Sequence, residues 1–421
     1  MMTKPNMTFC LTVAFLITGG GLSRAQRPSS TNEEPLQYRT WTDSAGKYQT
    51  EAAMVDYQDG AVHLRKKHGK TAIAPLGRLS REDQRYLREE LARRRAREKE
   101  SRPGPDRPTT PGAGAEWPGR RGPQRDGRLP EGNAGIAAKY PGDKGIDKDP
   151  AVLFADDFER SLSVADLRKR WEVLTNKANL SIAAGAGQKH GGEKSLLMTL
   201  PRQNAPLATG VAKLLTDTQD ILFLRWYMKF DGGWSVPGGS VHNGASISSK
   251  YFDRGRATPG IRADGRNKFL VSFENENSTG DAPGHMNVYI YWPEQGDKWG
   301  DHFFPSGTVL PFSVKRSGAA TFGKQFEARP DFSPQTDRWY CYEYMVKANT
   351  PGKRDGRIAL WVDGRLIADF PNLRLRDVDD LEIDRFGLGL YIANNRNRAN
   401  RKWHDDVVAA TSYIGPMASS E

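Results

Sequence analysis

His242, Asn243 and Lys250 stand close together in a glycine-rich stretch, directly after a run that alternates Arg225, Tyr227 and Lys229 with Leu224, Trp226, Met228 and Phe230. An imidazole exchanges a proton near neutral pH. Guanidinium and ammonium groups pair with carboxylate or sulfate, and a phenol ring offers a flat face on which a sugar ring stacks. The same division of labour recurs downstream. Asn287, Tyr289 and Tyr291 alternate with Met286, Val288, Ile290 and Trp292; Trp361 opposes Ile358, Leu360 and Val362; Tyr391 opposes Phe386, Leu388, Leu390 and Ile392. If these polar faces join in one concave sheet, they form a groove of Tyr, Trp, Arg, Lys, Asn and His suited to a charged sugar chain. The same side chains also have plainer uses. His242 equally suits a hydrogen-bonding loop position, and Arg225 and Lys229 equally suit a solvated strand face.

Positioning such residues requires strands. Period-two alternation marks a half-buried strand, with its apolar face turned to a second sheet. A strand is predicted to open at Val152, before Asp156, and others at 171–174, 180–184, 195–200, 221–231 and 269–276. Others follow at 286–292, 339–347, 357–363, 366–370, 386–392 and 406–411. With glycine-rich turns and almost no helix, this pattern predicts an antiparallel β-sandwich or jelly roll over 151–416.

The chain has 421 residues, 27% of them charged, and a net charge of +11. That balance favours an acidic partner, whether nucleic acid, an anionic membrane surface or an acidic polysaccharide. Lys4, the apolar run from Phe9 to Ile17, and small residues at Ser23 and Ala25 form the pattern of a signal peptide over 1–25. The run is too short to span a bilayer as a helix, so no transmembrane segment is expected. Export to the periplasm or the exterior follows as the expected location. Removing 1–25 takes Cys10 with it and leaves Cys341 alone, so no intrachain disulfide is expected.

Residues 38–100 read as a separate small module. Four or five short strand-like runs are punctuated by Ser44-Ala45-Gly46, Asp59-Gly60 and His68-Gly69, as in an SH3-like barrel. A helix is predicted from Ser80, a good N-cap with Glu82 and Asp83 in the first turn, to Glu100. Arg39-Thr40-Trp41-Thr42-Asp43, Gly46-Lys47, Asp59-Gly60, Val62-x-Leu64-Arg65-Lys66, Gly69-Lys70 and Leu79-Ser80-x-x-Asp83-Gln84-x-Tyr86 together resemble the SLA1 homology domain 1, SHD1. The resemblance implies a protein- or peptide-binding adaptor module, in a family tied to the cytoskeleton and ubiquitin. The arginine-rich end of the helix reads as a solvated run into a linker, and with export no nucleic-acid partner is expected. Residues 101–150, rich in Pro, Gly, Arg and Asp without periodicity, are expected to be a disordered linker.

WYMKFDGGWSVPGGSVHNG, MNVYIYWP, WHDDVVAATSYIGP and above all Lys347 to Gly364 resemble the concanavalin A-like polysaccharide lyases of the alginate and glucuronan group. The resemblance implies an acidic polysaccharide as partner, bound in the groove, with β-elimination as the reaction if it is cleaved. Carried onto this chain, it makes His242 the base, Arg225 and Lys250 the carboxylate neutralisers, and Tyr289 or Tyr291 the acid. Tyr227, Lys229, Asn243, Asn287, Trp361 and Tyr391 become substrate-binding positions. Where family members often carry a lysine in a GGKL turn, this chain has Gly238-Gly239-Ser240-Val241. The alternative is a non-catalytic scaffold with lectin-like or protein binding. No cofactor is expected; Asp405 and Asp406 could take Ca²⁺ or simply tie a turn.

Overall fold

The computed structural model describes residues 37–421 apart from 45, 47, 59–60, 68–70, 76–78, 101–126, 237–239, 253–257, 277–282, 312–318, 325 and 420–421. The predicted signal peptide and the Asp59-Gly60 turn therefore lie outside the described residues. The chain divides into two compact units, within residues 1–105 and 106–421.

In the first unit, strands Tyr38–Thr42, Gln49–Gln58, Ala61–Lys66 and Thr71–Pro75 form an antiparallel meander in chain order. Trp41, Ala52, Met54, Val62 and Leu64 face Leu79 and Leu87, the latter from helix Arg81–Glu100. Ser80 caps that helix as predicted: its Oγ accepts from the Asp83 backbone N–H at 3.1 Å. Asp83 in turn accepts from Arg39, the Thr42 N–H and the Ser80 hydroxyl, at 2.7–2.8 Å. One buried carboxylate thus ties the first strand to the helix start.

The second unit is a two-sheet sandwich. The eight-stranded sheet runs in the order Arg365–Leu373, Gly356–Val362, Tyr340–Lys347, Ile221–Phe230, Asn400–Ala410, Ser195–Leu200 and Leu180–Ala183, with Val152–Asp156 also on Asn400–Ala410. The ten-stranded sheet runs Ala320–Thr321, Thr308–Pro311, Asp301–Phe303, His285–Tyr291, Phe269–Glu276, Ala245–Ser249, Ile383–Ile392, Leu207–Gln219 and Val173–Thr175, with Val241–His242 also on Ile383–Ile392. The predicted apolar faces meet between the sheets. Leu222, Leu224, Trp226, Met228 and Phe230 share one core with Met286, Val288, Ile290, Trp292, Phe386, Leu388 and Leu390.

Two expectations are corrected. Residues 127–150, assigned to the linker, are packed against the outer face of the eight-stranded sheet. Short 3₁₀ helices Ile136–Lys139, Pro141–Asp143 and Ile146–Lys148 bury Ile136, Ala137 and Ile146 beside Phe223, Met345, Trp361 and Ile414. Their few apolar residues are too widely spaced to show a period, yet they fill a ready apolar surface. The strand Leu207–Gln219, among the longest of the sandwich, was not predicted. Its outward positions Ala208, Gly210 and Ala212 are small rather than polar, so no alternation shows.

Candidate functional site

Arg225, Tyr227, Lys229 and Trp361 do not line a groove. They project from the outer face of the eight-stranded sheet, which residues 127–150, the loop around His190 and the C-terminal segment cover. Arg225 is fully buried, paired with Asp143, and donates to the Asp406 carbonyl at 3.1 Å. The Tyr227 hydroxyl accepts from the Met417 N–H at 2.9 Å, and its ring stacks on His190 with centroids 3.5 Å apart. Lys229 donates to the Gly187 carbonyl and lies 4.8 Å from the Trp403 ring centre. The Trp361 indole donates to the Pro130 carbonyl at 2.9 Å. Alternation correctly placed these side chains opposite the core; what it missed is that a second layer covers them.

The other predicted residues belong to the ten-stranded sheet, and its outer face does carry a groove. The cavity there measures about 760 Å³ and is lined in part by His242, Tyr289, Tyr291 and Tyr391. Rings follow one another across the sheet: His302 to Tyr289 at 4.9 Å, Tyr289 to His242 at 4.9 Å, and His242 to Tyr391 at 5.5 Å, with neighbouring planes tilted by 30–37°. A second row runs from Tyr291 to Tyr251 at 5.1 Å and on to Phe252 at 4.9 Å. The rows join at Tyr289 and Tyr291, whose hydroxyls lie 3.3 Å apart. Between them the outward positions are short. Ser272, Ser246, Gly387 and Ala212 are consecutive cross-strand neighbours, and Gly389 pairs with Gly210. Aromatic walls over a floor of glycine and short side chains make a trough.

His242 sits in this trough on the Glu274 carboxylate. Its Nδ1 lies 3.0 and 3.1 Å from the two carboxylate oxygens, and its Nε2 lies 3.3 Å from Ser240 Oγ. Burial disfavours the imidazolium, but the charge of Glu274 and its hydrogen bond outweigh burial and hold the His242 pKa above its ordinary value. With Nδ1 committed to Glu274, Nε2 is the nitrogen left for a ligand. The neighbouring strand ends are locked by Asn243, whose amide accepts from the Asn275 N–H at 2.9 Å and donates to the Asn275 carbonyl at 3.2 Å. Asn243 is thus a buried bracket that sets His242 beside Glu274, not a groove residue.

Asn287 is also a support. Its Nδ2 donates to the Glu274 and His285 carbonyls, so its Oδ1 accepts from His302 Nδ1 at 2.9 Å. Burial, and then the charge of His242, push the His302 pKa down to about 3, so His302 stays neutral. Tyr289 and Tyr251 are driven far above the ordinary phenol range by burial and by the neighbouring Tyr291, so both remain hydrogen-bond donors. Lys250 is outside the trough: its ammonium pairs with Asp380 at 2.8 Å and its backbone N–H with Asp384. Asp405 accepts from the His190 and Gly191 N–H groups, and Asp406 meets His190 Nδ1 at 2.7 Å, so both carboxylates are engaged by the loop around His190. Among the described residues, no group of three or more His, Cys, Asp or Glu side chains is placed to hold a metal ion.

Sequence reasoning missed Glu274, Arg385 and the glycine floor. The signal was present in Ile383–Ile392, where Arg385, Gly387, Gly389 and Tyr391 alternate with the core residues. Glycine inside a strand marks a bulge, a bend, or a close approach by a ligand or another backbone.

Residues 29–95 match the family SLA1 homology domain 1, SHD1. A curated relative of this SHD1 region is the actin cytoskeleton-regulatory complex protein sla1 of Sclerotinia sclerotiorum. It is 32% identical over 65 residues, which is 15% of this chain and 6% of that protein's length. Solved structures similar to the chain include alginate lyase Aly36B, at 14% identity and a TM-score of 0.42, covering 65% of this chain and 99% of that one. The endo-beta-1,4-glucuronan lyase of the fungus Trichoderma reesei matches at 14% identity and a TM-score of 0.40, with 62% and 96% covered. The marine PL-14 alginate lyase from Aplysia kurodai matches at 12% identity and a TM-score of 0.43, with 62% and 99% covered.

Proposed function

We propose that the second unit binds an acidic polysaccharide chain in the trough of the ten-stranded sheet, that the SHD1 region binds a protein or peptide, and that the protein is exported. The observation that carries the first part is the pairing of His242 with Glu274 between tyrosine walls over a floor of serine and glycine. Aromatic faces match the flat apolar faces of sugar rings, and an imidazolium held by a buried carboxylate matches a uronate carboxylate. Export rests on the signal pattern of residues 1–25.

A second reading, cleavage by β-elimination, is favoured by the same pair. Glu274 fixes Nδ1, so neutral His242 would present Nε2 as a base. That nitrogen would take the proton at C5 of the uronate; the C–H electron pair would form the C4–C5 double bond as O4 leaves. Tyr289, which keeps its proton, would then be the donor to O4.

The two readings predict opposite pH dependence. His242 is cationic below its raised pKa and neutral above it. As a binding cation it gives the highest affinity below that pKa, and affinity falls as pH rises through it. As a base it is active only when neutral, so the rate rises through the same window. The test is titration with oligoglucuronate and oligoalginate across that range, together with ultraviolet absorbance of unsaturated uronate ends. His242→Ala is expected to weaken binding by about tenfold; under the second reading it lowers the rate by about 10²–10⁴-fold. Absence of new absorbance on every polymer removes the lyase reading. No binding to any acidic chain removes both.

A further inference from the structure

We propose that Arg385, beside Phe252 in the second aromatic row, is a carboxylate anchor, so that the cavity selects chains carrying a uronate several sugars away from the one at His242. This rests on the reading of the trough as a polysaccharide site. Arg385 lines the cavity and is half-buried, with its guanidinium 4.1 Å from the centre of the Phe252 ring. Among the described residues it has no ion pair within 4 Å and no hydrogen bond; burial lowers its pKa, and the charge of the adjacent Asp384 only partly offsets that. The adjacent carboxylate, Asp384, is directed to the Lys250 N–H at 2.8 Å. The cross-strand neighbours of Arg385 are Ser248 and Leu214, neither of them charged. Elsewhere in this unit the buried guanidiniums are matched: Arg225 by Asp143, Arg357 by Asp369 and Arg376 by Asp220. A half-buried guanidinium stacked on an aromatic ring, with no partner for its fork among the described residues, is preorganised for a planar carboxylate.

Its distance from His242 defines what it reads. His242 pairs with Tyr391, and Arg385 lies six residues back along the same strand. At a rise of about 3.3 Å per residue that separation is ~20 Å. A disaccharide cannot bridge it; a chain of several sugars laid along the strand can. The floor between the two ends, Gly387 and Gly389, leaves that path open.

The test is calorimetric titration of the full-length protein and its Arg385→Met variant with three probes: a glucuronate hexasaccharide, a neutral cello-hexasaccharide and a glucuronate disaccharide. The wild type is expected to bind the acidic hexasaccharide about tenfold more tightly than the neutral one. Arg385→Met should cut that preference to the part His242 supplies, while leaving the neutral chain and the disaccharide unaffected. Raising the salt to about 0.5 M should narrow the wild-type preference in the same direction. Equal wild-type affinity for the two hexasaccharides overturns the anchor together with the preference for an acidic chain. A preference undiminished by Arg385→Met overturns the anchor alone. If no probe binds, the anchor and the polysaccharide reading fall together.

Discussion

Gly389→Leu is expected to abolish binding of polysaccharide to the second unit without unfolding it. Gly389 lies in the floor of the trough, paired with Gly210. A Cβ built there meets only the Thr209 carbonyl, at 3.8 Å, so the added side chain has open space, and that space is the cavity itself. The backbone bonds of Gly389 persist: its N–H donates to the Gly244 carbonyl at 3.0 Å, and its carbonyl accepts from Lys402 at 2.7 Å. Glycine inside a strand carries an entropic cost relative to a residue with a side chain, so stability should hold or rise slightly. Gly387 is the contrast. Its Cβ would stand 2.7 Å from the Val211 carbonyl and 3.0 Å from Ala212 Cβ, so substitution there disturbs the sheet. The expected result for Gly389→Leu is loss of detectable binding with Tm within about 2–4 °C of wild type. A folded variant that binds like wild type would place the ligand elsewhere.

Arg225→Met should do the reverse. Its guanidinium is buried between the eight-stranded sheet and the segment 127–150, paired with Asp143 and bonded to the Asp406 carbonyl. Opposite it in register, Glu343 accepts from the Ile414 and Gly415 N–H groups; burial pushes its pKa up to about 7 despite those donors and the charge of Arg225. Removing the cation leaves Asp143 and Glu343 without their positive partner. Breaking a buried pair from one side costs about 3–5 kcal/mol. Denaturant unfolding should show a lowered midpoint, while affinity for acidic oligosaccharide stays unchanged under conditions where the variant is folded. Loss of affinity at unchanged stability would return Arg225 to the binding surface and count against the assignment of the trough.

These two variants mark where sequence and structure part. The core faces of Ile221–Phe230, His285–Tyr291 and Ile383–Ile392 were legible because each strand obeys a strict period of two against one apolar interior. The Ser80 cap was legible because a helix start is a local event involving neighbouring residues. Tyr289, Tyr291 and Tyr391 were also placed on the right side of their strands, whereas His242, expected in a glycine-rich loop, lies on the short strand Val241–His242. What alternation could not say is which of two outer faces each strand would present. The faces bearing Arg225 and Tyr289 look alike in sequence, since both set polar and aromatic side chains against an apolar row. The segment 127–150 closes over the first and leaves the second open.

The sequence by itself therefore determined the two-part organisation, the SHD1 region, the all-β second unit and the inward face of its main strands. Those properties are set by residue type and spacing along one stretch of chain. Tertiary structure alone decided that His242 meets Glu274, that Arg225 and Trp361 are buried under a strap, and that glycines from separate strands open a trough. Each of these joins residues far apart in the chain, and their proximity follows from strand order and register across two sheets rather than from any local pattern.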